Sequence, residues 1–152
     1  MKNKNIIACD DDIHSIVGGE LFKLGISADL NHIDTSQVTN FNGLFFNLNF
    51  NGDISRWDTS NVVTMNRTFL SSNFNGDISN WDVSGVRHML STFLGSKFNN
   101  DISNWKLHED LTIDADLRRV IENSHQTLSY KQVNILKENL FQNNSPKSSI
   151  SL

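Results

Sequence analysis

The chain repeats itself every 24 residues. Trp57, Trp81 and Trp105 are 24 positions apart, and so are Phe50, Phe74 and Phe98, and Asp53, Asp77 and Asp101. The segment Phe50-Asn51-Gly52-Asp53-Ile54-Ser55-Arg56-Trp57 returns as Phe74 to Trp81. It returns again as Phe98 to Trp105, with Asn100 in place of Gly52. Asp58-Thr59-Ser60-Asn61-Val62 returns as Asp82-Val83-Ser84-Gly85-Val86. An earlier, weaker copy contains Asp29 and Leu30 in register with Asp53 and Ile54, followed by Ile33-Asp34-Thr35-Ser36-Gln37-Val38. The copies are therefore 26–49, 50–73 and 74–97, with a partial copy at 98–105. Self-similarity at a fixed period of this size is the signature of stacked repeats, in which no single unit can bury its own apolar face.

The apolar slots predict the unit's local structure. After each serine, apolar residues fall at Val62, Met65, Phe69 and Leu70, with equivalents Val38, Phe41, Phe45 and Phe46, then Val86, Met89, Phe93 and Leu94. An i, i+3, i+7 spacing predicts a two-turn helical segment. Ser36, Ser60 and Ser84 stand where N-caps belong, with Asp34, Asp58 and Asp82 in the preceding turn. Asp53 to Trp57 reads as a short strand or extended edge, and Asn51-Gly52 and Asn75-Gly76 mark the turn into it. The predicted fold class is an α/β repeat solenoid of 24-residue coils with a Trp, a Phe and an Ile layer.

Solenoid ends expose apolar surface and need covers. Residues 1–25 read as an N-terminal capping region. Its helix begins at Asp12, carries Ile13, Ile16, Val17, Glu20, Leu21 and Leu24, and stops at Gly25; Gly18-Gly19 weakens it, and the aspartates are expected in its first turn, at the positive end of its dipole. Residues 106–142 read as a C-terminal helical cap. One helix is expected near 114–123, and another follows the capping-box pattern Ser129-Tyr130-Lys131-Gln132 with Val133, Leu136, Leu140 and Phe141. The tail 143–152 is expected to be disordered.

Composition narrows the function. Asparagine fills 21 of 152 positions and serine 18, and apolar residues reach only 38 %. Eight of the ten Phe and all three Trp lie in repeat slots, so the polar residues are expected in turns, where stacked coils pair them as ladders. A lone cysteine, Cys9, excludes a disulfide scaffold and a multi-thiolate metal site. With a net charge of −4, no basic face for nucleic acid is expected. No apolar run is long enough for a membrane span. Only Ile6 to Cys9 is apolar before Asp10-Asp11-Asp12, short of the about 7–15 residues of a secretory signal, so a cytoplasmic location is expected. The alternative is a cell-surface or secreted location reached by a non-standard route.

No nucleophile elbow, phosphate loop or dinucleotide fingerprint occurs, and His14, His32, His88, His108 and His125 show no ligand spacing. Neither catalysis, nor a cofactor, nor a metal is expected. Lys4 to Asp12 looks like the opening of a phospho-receiver with Asp53 as acceptor, but Asp53 belongs to the ladder with Asp29, Asp77 and Asp101. The same ladder is a candidate carboxylate stack for Ca²⁺. The preferred role is acceptance of backbone N–H bonds within each turn.

The pattern Phe-Asn-Gly-Asp-Ile-Ser-Asn-Trp-Asp-Val-Ser-Gly-Val-x-x-Met-x-x-x-Phe at 74–93 resembles the BspA-like leucine-rich-repeat family of bacterial and mycoplasma surface proteins. The resemblance covers about residues 26–105. It implies a leucine-rich-repeat-like solenoid with a binding role, and in the family that role is often adhesive.

Where copies differ on polar slots, recognition has room to act. Those positions are Arg56, Asn80 and Asn104 in one slot, with Arg67, Arg87 and His88 elsewhere. The expected function is a non-catalytic protein-binding module whose partner is another protein: an inhibitor or immunity-type protein that blocks a partner's site. The alternative is a surface adhesion module that binds host proteins.

Overall fold

A computed structural model describes residues 6–124. Its regular elements are β1 (Ile6–Ile7), α1 (Ile13–Leu24), β2 (Ile33–Asp34) and α2 (Ala115–Asn123). β1 and β2 pair in parallel, with Ile6 opposite Ile33 and Ile7 opposite Asp34. The helix expected after Ser129 and the tail from Asn143 lie outside the described residues.

Between β2 and α2 the chain is organised by contacts at the repeat distance. Single parallel bridges join Asp29 to Asp53, Asn40 to Thr64, and Thr64 to His88. Phe45 stacks on Phe69 and Phe69 on Phe93, with ring centroids 5.5 and 5.7 Å apart. Phe50, Phe74 and Phe98 form a second column, and Trp57 lies 6.4 Å from Trp81 with the rings 3° from parallel. Leu30, Ile54, Ile78 and Ile102 are buried beside them. A buried indole needs a partner for its N–H. Trp57, Trp81 and Trp105 each donate to a carbonyl one copy back, on Leu30, Ile54 and Ile78, at 3.0, 3.1 and 2.9 Å.

Each copy differs from expectation where the i, i+3, i+7 spacing predicted a helix. Residues 42–47 and 66–71 are successive turns, with positive φ at Asn47, Arg67 and Ser71. The hydrogen bonds explain why. The N–H groups of Phe41, Gly43, Phe45 and Asn47 donate to the next copy, at Thr64, Asn66, Thr68 and Leu70. Those of Leu44, Phe46 and Leu48 close local turns onto Phe41, Gly43 and Phe45. Met65 to Ser72 repeats the alternation against His88 to Leu94. Half the donors are spent on the neighbouring copy, so an i→i−4 ladder never forms. The alternation also turns residue 70 away from residue 69. Phe69 is fully buried, whereas Phe46 is 53 % and Leu94 44 % exposed. Of the apolar slots Phe46, Leu70 and Leu94, Phe46 and Leu94 are exposed and Leu70 is half-buried.

The expected strand and N-caps are also turns. Asp53 bridges once to Asp29, then accepts the Ser55 N–H, and Trp57 N–H closes onto Ile54. Ser60 and Ser84 donate both N–H and hydroxyl to Asp58 and Asp82, so these serines close Asx turns and cap no helix. Gly52 is needed for space: a Cβ there would lie 2.0 Å from the Ala28 carbonyl oxygen.

Both ends of the stack are closed by an aspartate. In the copies, the Val63 and Thr64 N–H groups share the Thr39 carbonyl, and Arg87 and His88 share that of Val63. Thr39 and Asn40 have no earlier copy to reach. Asp10 Oδ1 accepts both of their N–H groups instead, standing in for the missing carbonyl, while Oδ2 accepts the Thr39 hydroxyl. At the far end Asp114 Oδ2 accepts the Ser91 N–H, and Oδ1 caps α2 at Leu117. The three aspartates before α1 therefore precede its first turn: Asp10 serves the stack, and Asp12 accepts the Cys9 N–H. Ile13 and Val17 of α1, and Leu117, Val120 and Ile121 of α2, are buried against the core.

Candidate functional site

The polar ladders are satisfied internally. Asn66 N–H donates to Asn42 Oδ1, and Leu90 N–H donates to Asn66 Oδ1. Asn75 and Asn99 donate their N–H groups to Asn51 and Asn75 in the same way. The Asp53 and Asp77 carboxyls are held below the ordinary carboxylate range chiefly by the N–H groups of Ser55 and Ser79. The charge of Asp53 pushes Asp77 up by less than those bonds lower it. Asp53, Asp77 and Asp101 each accept an N–H two residues on, the role preferred for the ladder. Among the described residues no group of three or more His, Cys, Asp or Glu is placed to hold a metal ion, and no helix is long and apolar enough to cross a membrane.

Several large apolar side chains are nevertheless exposed. Phe46 and Leu70 lie in one column, and Leu94 continues it. Leu90, 56 % exposed, occupies the slot held by Asn42 and Asn66 in the earlier copies. A groove of about 470 Å³ runs across these positions, lined by Asn42, Gly43, Phe46, Asn66, Arg67, Leu70 and Leu90. Its asparagines are held by the ladder and its backbone by the turn ribbon. Arg67 is placed there by a left-handed backbone, φ 59°. Among the described residues its guanidinium has no hydrogen bond or ion pair.

The six recognition candidates do not form one surface. Arg67 alone lines this groove. Asn80 and Asn104 line a smaller polar one with Trp81, Asp82 and Lys106. Arg56 sits 3.7 Å from Asp29, and its N–H is held by Asn31. Arg87 reaches His108 at 3.4 Å, and His88 is exposed beside its bridge to Thr64. Phe46, Leu70 and Leu90 were not among the candidates. The readable signal was Leu90, an apolar residue in an asparagine column.

A family model described as a mycoplasma protein of unknown function, DUF285, matches residues 19–130. The chain belongs to the DUF285 family. No curated protein and no solved structure matches it. The DUF285 match begins inside α1 and takes in every repeat copy, the groove and α2.

Proposed function

We propose that this DUF285 chain is a non-catalytic protein-binding module. Its stacked copies form a leucine-rich-repeat-like solenoid of the BspA-like kind, and its binding face is the Phe46, Leu70 and Leu90 groove. One observation carries the reading: apolar side chains recur at coil spacing in a groove whose asparagines are spent on the ladder between copies. Patterned exposed apolar surface rimmed by polar residues marks interaction sites. A rigid scaffold loses little entropy on binding. The resemblance to surface proteins supports an adhesive partner; the acidic net charge supports an inhibitor or immunity-type role against a basic partner.

A photo-crosslinking residue at Leu90 tests this in cells. It is expected to give a discrete protein adduct that the same residue at exposed Asn61 does not give. Equal labelling from both positions contradicts the assignment. The identity of the adduct separates the adhesive role from the inhibitory one.

A further inference from the structure

The pitch of the stack and the lone cation in the groove specify what fits there. The ring spacing narrows across the stack, from 6.4 Å between Trp57 and Trp81 and 5.8 and 6.2 Å along Phe50, Phe74 and Phe98 to 5.5 and 5.7 Å along Phe45, Phe69 and Phe93, the column next in sequence to the groove's Phe46 and Leu70. An α-helix advances about 5.4 Å per turn, so an i, i+3/i+4, i+7 ridge keeps step with that column. An extended segment places same-side residues about 6.7 Å apart and falls out of register by about 1 Å per copy. From Phe46 to Leu94 is two pitches, enough for two turns of helix to seat an apolar ridge. Arg67 lies between Phe46 and Leu90 in copy number and has no carboxylate partner among the described residues, although the chain carries a net charge of −4. A guanidinium at the wall of an apolar groove favours a carboxylate brought by the occupant.

We infer that the groove receives an amphipathic α-helix of a partner protein, laid along the stack with its apolar ridge on Phe46, Leu70 and Leu90 and an Asp or Glu on Arg67. This rests on the groove being the binding face, and it adds the occupant's conformation and charge. It is an instance of helix-in-groove recognition, read as regularly spaced anchors.

The test is selection of displayed peptides about four helical turns long on the full wild-type chain and on Arg67→Glu, with thermal midpoints showing that both are folded. Wild type is expected to select apolar residues at i, i+3/i+4 and i+7 with an acidic residue beside them. Arg67→Glu is expected to bind those peptides roughly tenfold more weakly and to select Lys or Arg at the acidic position. Leu70→Asp is expected to abolish both. Alternating apolar positions among the selected peptides, or equal binding by Arg67→Glu, overturns the inference while leaving the groove in place. Binding that survives Leu70→Asp overturns the groove itself. Self-association removed by Leu70→Asp, with no peptide selected, overturns the inference in favour of a second copy of this chain.

Discussion

At the scale of the residue, single carboxylates do the work of absent backbone. Asp10 replaces a carbonyl that a preceding copy would supply, and its ionised form is favoured first by the Thr39 hydroxyl and then by two backbone N–H groups. Its folded-state pKa is thus lowered. The stability it contributes is present above its unfolded-state value, and is lost as pH falls through the lower folded-state value. Asp34, Asp53, Asp77 and Asp82 are lowered in the same direction by their serine turns. Thermal midpoints are therefore expected to hold near pH 6 and to fall below about pH 4. Asp10→Asn is expected to lower the midpoint near pH 6 and to reduce, without removing, the acid-induced drop. An acid profile unchanged by Asp10→Asn contradicts the carbonyl-substitute role. This role was not readable from the sequence. Asp10 looks like its neighbours Asp11 and Asp12, and only the fold brings it to Thr39, 29 residues away.

At the scale of the element, two glycine positions act in opposite ways. Gly18 and Gly19 sit inside α1 with nothing within 4 Å of an added Cβ. Gly18→Ala is expected to raise stability by about 0.5–1 kcal/mol in denaturant titration, through helix propensity and a restricted unfolded chain. Gly52→Ala places a methyl on the Ala28 carbonyl and is expected to cost about 1–3 kcal/mol or more. The same titration checks both, and equal effects would contradict the packing. The sequence made α1 legible: its spacing and its stop at Gly25 agree with Ile13–Leu24, while Asp12 precedes the first turn, which holds no acidic residue. It misread residues 62–70, because i, i+3, i+7 fits both a helix and a ribbon of successive i→i−3 turns. The choice between them depends on whether alternate N–H groups bond locally or across to the next copy. That is a non-local fact, and it is also what puts Phe46 and Leu94 on the surface.

At the scale of the molecule, the 24-residue register was legible because identical side chains must meet when copies stack. Trp57 on Trp81 and Phe45 on Phe69 are the contacts that periodicity foretells. The groove was less legible, since variation among polar slots drew attention to Arg56, Asn80, Arg87, His88 and Asn104, whereas this groove is built around Phe46, Leu70 and Leu90. If the copies are additive units, stability is a sum of unit and interface terms. A second copy of residues 50–73 inserted after Asn73 reproduces the natural Asn-Phe junction of Asn49-Phe50 and Asn73-Phe74, and adds one stacked interface. Thermal or urea unfolding of that duplicated chain is the most direct test of the stack. Unfolding is expected to be cooperative with a midpoint at or above that of the original chain, and the midpoint is expected to be lower when only half a copy is inserted at the same place. A midpoint as low for the full copy as for the half copy would contradict the stack.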